Sequence, residues 1–64
     1  MMNDLEIKIL DRFKTRTGFL LTVRDNRQYR IGQTVRCEGR RYTITGVSRN
    51  SSLNVIGLNV VKAP

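Results

Sequence analysis

The stretch that decides the fold is residues 35–45, which read VRCEGRRYTIT. Apolar and polar side chains alternate on both sides of its centre. Such alternation predicts β-strands, because successive side chains of a strand point to opposite faces. Residues 38–41 separate the two alternating runs and predict a tight hairpin turn, in which Gly39 supplies a positive φ angle. The stretch therefore predicts two neighbouring antiparallel strands, the second of which ends near residues 46–47.

The same alternation continues on either side of this hairpin. It predicts further strands at residues 5–9 and 19–24, a short edge segment at 29–31 and a last strand at 53–62. The pattern breaks at Leu10, where we expect a bend or bulge. The apolar phase of the last strand reverses near Gly57, which predicts a bulge or a barrel corner there. Residues 25–27 predict a turn and residues 48–52 a polar loop.

About five or six short strands in 64 residues leave exposed sheet edges unless the sheet closes on itself. A two-layer sandwich typically needs about 100 residues. We therefore expect one all-β domain spanning residues 1–64, a small antiparallel β-barrel that is closed or partly open. Its predicted core consists of Leu5, Ile7, Ile9, Phe13, Leu21, Val23, Ile31, Val35, Ile44, Val47, Ile56, Leu58 and Val60.

The charge of the chain is strongly positive. Twelve Lys and Arg residues against five Asp and Glu give a net charge of +7. Residues 12–49 contain nine arginines and one lysine against two acidic residues, so this segment holds the excess. A charged exterior also keeps a barrel soluble. Arginine, however, has a planar fork that matches phosphate and stacks on bases, so its excess over lysine favours nucleic acid as a partner.

Catalytic and metal-binding chemistry finds little support in the composition. The chain has no histidine and one cysteine, and its five acidic residues are scattered. General acid–base catalysis usually requires histidine or paired carboxylates, and a zinc site requires about four ligands. Cys37 alternates in phase with Val35, which predicts an inert thiol in the core. We therefore expect no enzyme activity, no cofactor, no metal and no small-molecule substrate.

Targeting signals are not evident either. No apolar run approaches the roughly 18 residues that a membrane-spanning helix needs. The first residues carry acidic side chains where a secretory signal carries basic ones. We therefore expect a cytoplasmic protein without a membrane partner.

Five short stretches follow one another in an order known from one barrel family: LDRF at 10–13, RTGFLLT at 16–22, YRIGQTV at 29–35, YTITGV at 42–47 and VIGL at 55–58. Together they resemble the second, β-barrel domain of translational GTPases of the elongation factor Tu type. Thr17 stands where that family's turn holds arginine, and Gln33 stands where it usually holds an acid. The glycine-rich phosphate-binding loop of a GTPase is absent from the sequence. The resemblance implies the barrel fold and contact with RNA, at the ribosome or at transfer RNA, without GTPase activity.

We expect a noncatalytic nucleic-acid-binding module whose partner is RNA or a ribonucleoprotein. Arginines in turns and at outward strand positions would bind phosphate, and two tyrosines next to basic residues would stack on bases. The predicted contact residues are Arg16, Arg24, Arg27, Tyr29, Arg30, Arg40, Arg41, Tyr42 and Arg49. One alternative is a protein–protein interaction adaptor of unknown pathway, which docks an acidic partner on its basic face or adds a partner strand to its edge. Another is a phage- or plasmid-borne accessory factor without intrinsic activity.

Overall fold

The computed structural model describes residues 5–24 and 27–64. Within these ranges the chain forms six strands and no helix, which confirms the all-β prediction. The strands are β1 (Leu5–Glu6), β2 (Asp11–Lys14), β3 (Phe19–Val23), β4 (Thr34–Cys37), β5 (Arg40–Asn50) and β6 (Val55–Lys62).

All six strands belong to one sheet, in the order β1-β4-β5-β6-β3-β2. Neighbours pair in antiparallel fashion except β1 and β4, which are parallel, with Leu5 opposite Val35. The purely antiparallel prediction is therefore wrong for this pair, because β1 reaches β4 by a crossover past β2 and β3. The two terminal strands, β1 and β2, are not joined by strand pairing in the described part of the chain.

The hairpin between β4 and β5 confirms the turn predicted from the central stretch. Cys37 pairs with Arg40, and the two residues between them, Glu38 and Gly39, have φ angles of 54° and 79°. Two successive positive φ angles define a two-residue type I′ turn, whose twist matches that of the flanking strands. This local geometry positions Arg40 at the start of β5.

The irregularity of the sheet lies in β5 rather than in β6. The register between these strands shifts between Ile44 and Gly46, so that Thr45 is an extra residue, a β-bulge. The Thr45 hydroxyl donates a hydrogen bond of 3.2 Å to the carbonyl oxygen of Asn59. The bulge predicted at Gly57 is wrong, because this residue lies in regular register with both neighbouring strands.

Two other boundaries differ from the sequence-based expectation. The polar residues 48–50, predicted as a loop, continue β5 because they pair with the first residues of β6. Residues 29–31 form no strand, since the chain turns at Ile31 and Gly32. The φ angle of Gly32 is 93°. The turn predicted at 25–27 depends on residues 25–26, which lie outside the described residues.

The N-terminal segment divides at Leu10, where the chain bends as expected. Of the strand predicted at residues 5–9, only Leu5 and Glu6 are in β-structure. The chain then forms β2, all of whose residues are exposed. β2 is an edge strand with a partner on one side only.

The core is one cluster of buried side chains from β3, β4, β5 and β6 and the adjoining segments. It confirms Ile7, Leu21, Val23, Val35, Ile44, Ile56, Leu58 and Val60 as core residues, with Leu5, Ile9 and Val47 packed against them and partly buried. The prediction is wrong for Phe13 and Ile31, which are 66% and 72% exposed. Phe13 points to the outer face of an edge strand, and Ile31 lies in a turn. The cluster is completed by Tyr29, Cys37 and Tyr42.

Candidate nucleic-acid interface

Six of the seven predicted contact arginines form two groups at opposite ends of the sheet rather than one patch. Arg49 is paired with Ile56 near the start of β6, whereas Arg41 precedes Tyr42, which is paired with Lys62 at the end of β6. Six residues separate these two positions on β6. At about 3.3 Å per residue, the two groups are about 20 Å apart.

The first group surrounds two adjacent concavities with volumes of about 430 and 360 Å³. Lys62 lines both. Lys14 and Arg16 line the first, and Arg40 and Arg41 line the second. No acidic residue of the described chain lines either one. We call this surface, formed by Lys14, Arg16, Arg40, Arg41 and Lys62, the basic groove.

A close approach of the β2–β3 turn to β6 forms one side of the basic groove. The turn is closed by two hydrogen bonds: the Thr15 amide donates to the Gly18 carbonyl at 2.9 Å, and the Gly18 amide donates to the Thr15 hydroxyl at 3.0 Å. A Cβ atom at Gly18 would collide with the carbonyl oxygen of Val60. The missing side chain therefore allows the turn to lie against β6, which brings Arg16 to the same concavity as Lys62.

Residues 63–64, which follow β6, form the other side of the basic groove. The Ala63 amide donates a hydrogen bond of 3.1 Å to the Arg41 carbonyl oxygen, and Nη1 of Arg41 donates one of 3.2 Å to the carbonyl oxygen of Pro64. These bonds hold the residues after β6 alongside β5. Arg36 is the β4 residue opposite Arg41 and adds an exposed cation at the margin of the groove.

The second group is more mixed in charge and more engaged with the backbone. Glu6 lines its concavity together with Lys8, Arg24 and Arg27. Nη1 of Arg27 donates to the Glu6 carbonyl oxygen at 2.9 Å, and Nη2 of Arg49 donates to the Arg27 carbonyl oxygen at 3.3 Å. We call Lys8, Arg24, Arg27 and Arg49 the opposite cluster. These bonds use two of its guanidinium groups to connect chain segments.

Arg30 belongs to neither group. It is exposed in the segment between β3 and β4 and lines none of the three concavities. Its backbone amide donates a hydrogen bond of 3.1 Å to Oε1 of Gln33, which closes the turn before β4.

The two tyrosines predicted to stack on bases are in the core. Tyr29 is 7% exposed and Tyr42 is 1% exposed. The Tyr42 ring packs edge-on against Phe19, with the ring centroids 5.8 Å apart. The stacking prediction is therefore wrong for both, because neither ring presents a face to the surface. The exposed aromatic side chain is instead Phe13. In its strand no other apolar residue lies on the same face, and this pattern is the one sign in the sequence that Phe13 points outward.

Cys37 lines neither concavity of the basic groove. Cys37 is buried, as its alternation with Val35 predicts. Burial raises the pKa of its thiol, and the adjacent Glu38 carboxylate raises it further, so the thiolate is disfavoured. Residues 5–24 and 27–64 contain no group of three acidic or cysteine side chains that could hold a metal ion.

Comparison with known proteins adds no relative. No protein-family model, curated protein or solved structure matches the chain. The resemblance to the barrel domain of translational GTPases thus stays a prediction. The structure contains, in the ranges that it describes, no helix long and apolar enough to cross a membrane.

Proposed function

We propose that this protein binds RNA without catalysing a reaction, and that the basic groove is the binding surface. The observation that carries the proposal is the convergence of five cations on adjacent concavities that no described acidic residue lines. These cations come from three separate parts of the chain: residues 14–16, 40–41 and 62. Like charges held together raise the electrostatic energy of the fold, and a bound phosphate chain lowers it.

The groove predicts a measurable salt dependence. Each phosphate that a cation neutralises on a single strand contributes about −0.7 to the slope of log K against log salt concentration. Five cations therefore predict a slope of about −3.5. The three arginines among them can also bind a phosphate through two parallel hydrogen bonds.

Two matched triple variants test the assignment by fluorescence anisotropy with labelled single-stranded RNA at several salt concentrations. The first carries Arg16→Gln, Arg40→Gln and Lys62→Gln in the basic groove. The second carries Lys8→Gln, Arg24→Gln and Arg30→Gln outside it. Each removes two arginines and one lysine, so both lower the net charge from +7 by the same amount.

The groove variant is expected to lose most of the affinity and to reduce the steepness of the salt slope by about 2. The second variant is expected to keep a slope close to that of the unmodified protein. Equal losses in the two variants would show that net charge alone attracts RNA, and would contradict the groove as the binding surface. Circular dichroism confirms that both variants are folded.

The second candidate function is a protein–protein interaction adaptor, and the exposed edge of β2 favours it. An edge strand can accept a strand from a partner, and the nearby cations select an acidic one. Isolation of partners with and without nuclease treatment separates the two functions. Partners that persist after nuclease treatment support the adaptor, and partners that are lost support RNA binding.

A further inference from the structure

Phe13 is an aromatic side chain held on the outer face of the sheet. It is paired with Leu20 on β3, and Leu20 is paired with Asn59 on β6. Directly opposite residues of neighbouring strands share a face. These three side chains therefore form a row across three strands, about 10 Å long at the usual strand spacing of about 4.8 Å. Phe13 at its edge is 66% exposed.

This row adjoins the basic groove. Val61 lies two residues beyond Asn59 on the same face of β6, and it lines the concavity that contains Arg16. From the strand spacings, the Cα atoms of Phe13 and Val61 are about 12 Å apart. Lys14, which lines the same concavity, follows Phe13 in β2 and points to the opposite face of that strand. The exposed ring thus lies on the same face of the sheet as Val61, at one side of the basic groove.

A second copy of this chain is poorly suited to bind at the row of Phe13, Leu20 and Asn59. Antiparallel pairing of two β2 strands that places Phe13 opposite Phe13 also places Arg12 of each copy opposite Lys14 of the other. Like charges directly opposite each other destabilise a strand pair. The cations of β2 therefore oppose edge-to-edge dimerisation in the register that joins the two Phe13 side chains.

We infer that an unpaired base of a single-stranded nucleic acid stacks on Phe13 while the adjoining phosphates follow the basic groove. The inference rests on the proposed function and adds to it the class of ligand. An aromatic ring beside a basic groove is the arrangement that binds single strands, because every base has a face that can stack. In a duplex these faces are already stacked on neighbouring bases. An acidic peptide would use the cations but would leave the Phe13 ring without a partner.

The chain contains no tryptophan, so one introduced tryptophan reports on its own position. Phe13→Trp keeps a ring for stacking. Leu53→Trp is the matched control, because Leu53 is 63% exposed and lies in the β5–β6 turn, at the other end of the sheet. Each is titrated with oligouridylate, oligothymidylate and an abasic deoxyribose-phosphate chain, all of about twelve units. The abasic chain carries the phosphates without the bases.

The two base-containing chains are expected to quench the fluorescence of the tryptophan at position 13, whereas the abasic chain is not. None of the three chains is expected to quench the fluorescence of the tryptophan at position 53. Phe13→Ala is expected to weaken binding of the base-containing chains about 5-fold or more and to leave the abasic chain unaffected. Stronger binding of oligouridylate than of oligothymidylate identifies RNA as the source of the base.

Two results with the nucleic-acid chains overturn the stacking inference. One is equal quenching at positions 13 and 53, and the other is unchanged binding of base-containing chains by Phe13→Ala. If these chains still bind through the basic groove in that case, the proposed function stands without the stacking contact. If none of the three chains binds at low salt, the proposed function fails as well. Binding of polyglutamate that requires Phe13 would overturn the inference in favour of an acidic protein partner.

Discussion

The guanidinium group of Arg12 lies 3.5 Å from the carboxylate of Glu38, and this ion pair connects β2 with the β4–β5 hairpin. The same guanidinium group lies 5.7 Å from the centroid of the Phe19 ring. Arg12 therefore bridges between a terminal strand of the sheet and a hairpin on the other side of the core. Both charged side chains are well exposed, so solvent screening leaves the ion pair little effect on stability.

The backbone at Glu38 gives a first prediction. Its φ angle of 54° is unfavourable for most residues with a side chain, whereas asparagine is preferred at this position of a type I′ turn. Glu38→Asn is expected to raise the free energy of unfolding by about 0.5–1 kcal/mol in urea denaturation. Glu38→Gln removes the same charge without the backbone benefit and serves as the control. Equal stabilities of the two variants would contradict the turn geometry.

The contact of Gly18 with β6 gives a second prediction. Gly18→Ala places a methyl group against the Val60 carbonyl oxygen and is expected to lower the free energy of unfolding by about 1–3 kcal/mol. Gly46→Ala is the control, because its Cβ would lie 3.4 Å from the side-chain amide of Asn59, which is exposed and can move. Thermal unfolding of both variants measures the difference. A cost at Gly46 as large as at Gly18 would argue against this close approach.

The hydroxyl of Tyr42 gives a third prediction. It is buried and has no hydrogen-bond partner among the described residues. A buried polar group without a partner costs about 1–3 kcal/mol, so Tyr42→Phe is expected to unfold at a higher urea concentration. Tyr42→Ala also removes the ring that packs on Phe19 and is expected to cost about 3–5 kcal/mol. A loss of stability in Tyr42→Phe would show that the hydroxyl has a partner after all.

The Cys37 thiol gives a prediction about pH. Burial raises its pKa above the ordinary value of 9.0, so the folded state holds the thiol proton more tightly than the unfolded state does. The resulting stabilisation is complete below pH 9.0 and is lost as the pH rises through the folded-state pKa. The stability advantage over Cys37→Ala is therefore expected to shrink above that pH, as measured by urea denaturation at a series of pH values. A constant advantage would contradict a buried, protonated thiol.

Short-range patterns explain why part of the fold is predictable. Alternation identifies the strands around Leu21 and Ile44, and the glycine at position 39 identifies the hairpin turn, because these signals depend on neighbouring residues only. The bulge at Thr45 is different. It is defined by the register between β5 and β6, so the sequence of β5 alone contains no signal that predicts it. β2 likewise becomes a strand by pairing with β3, without an apolar stripe of its own.

By itself, the amino-acid sequence determined that the chain is all-β, that it is strongly basic and that Cys37 points inward, since composition and period-two alternation are local properties. Only the tertiary structure decided which cations share a groove and which aromatic ring is exposed. Lys14, Arg40 and Lys62 are far apart in the chain and meet because of the order in which the strands pair. Because of that order, Phe13 lies exposed on an edge strand, whereas Tyr42 is buried on a strand with a neighbouring strand on each side. Strand order depends on how the whole set of apolar faces can be buried together, which no single segment specifies.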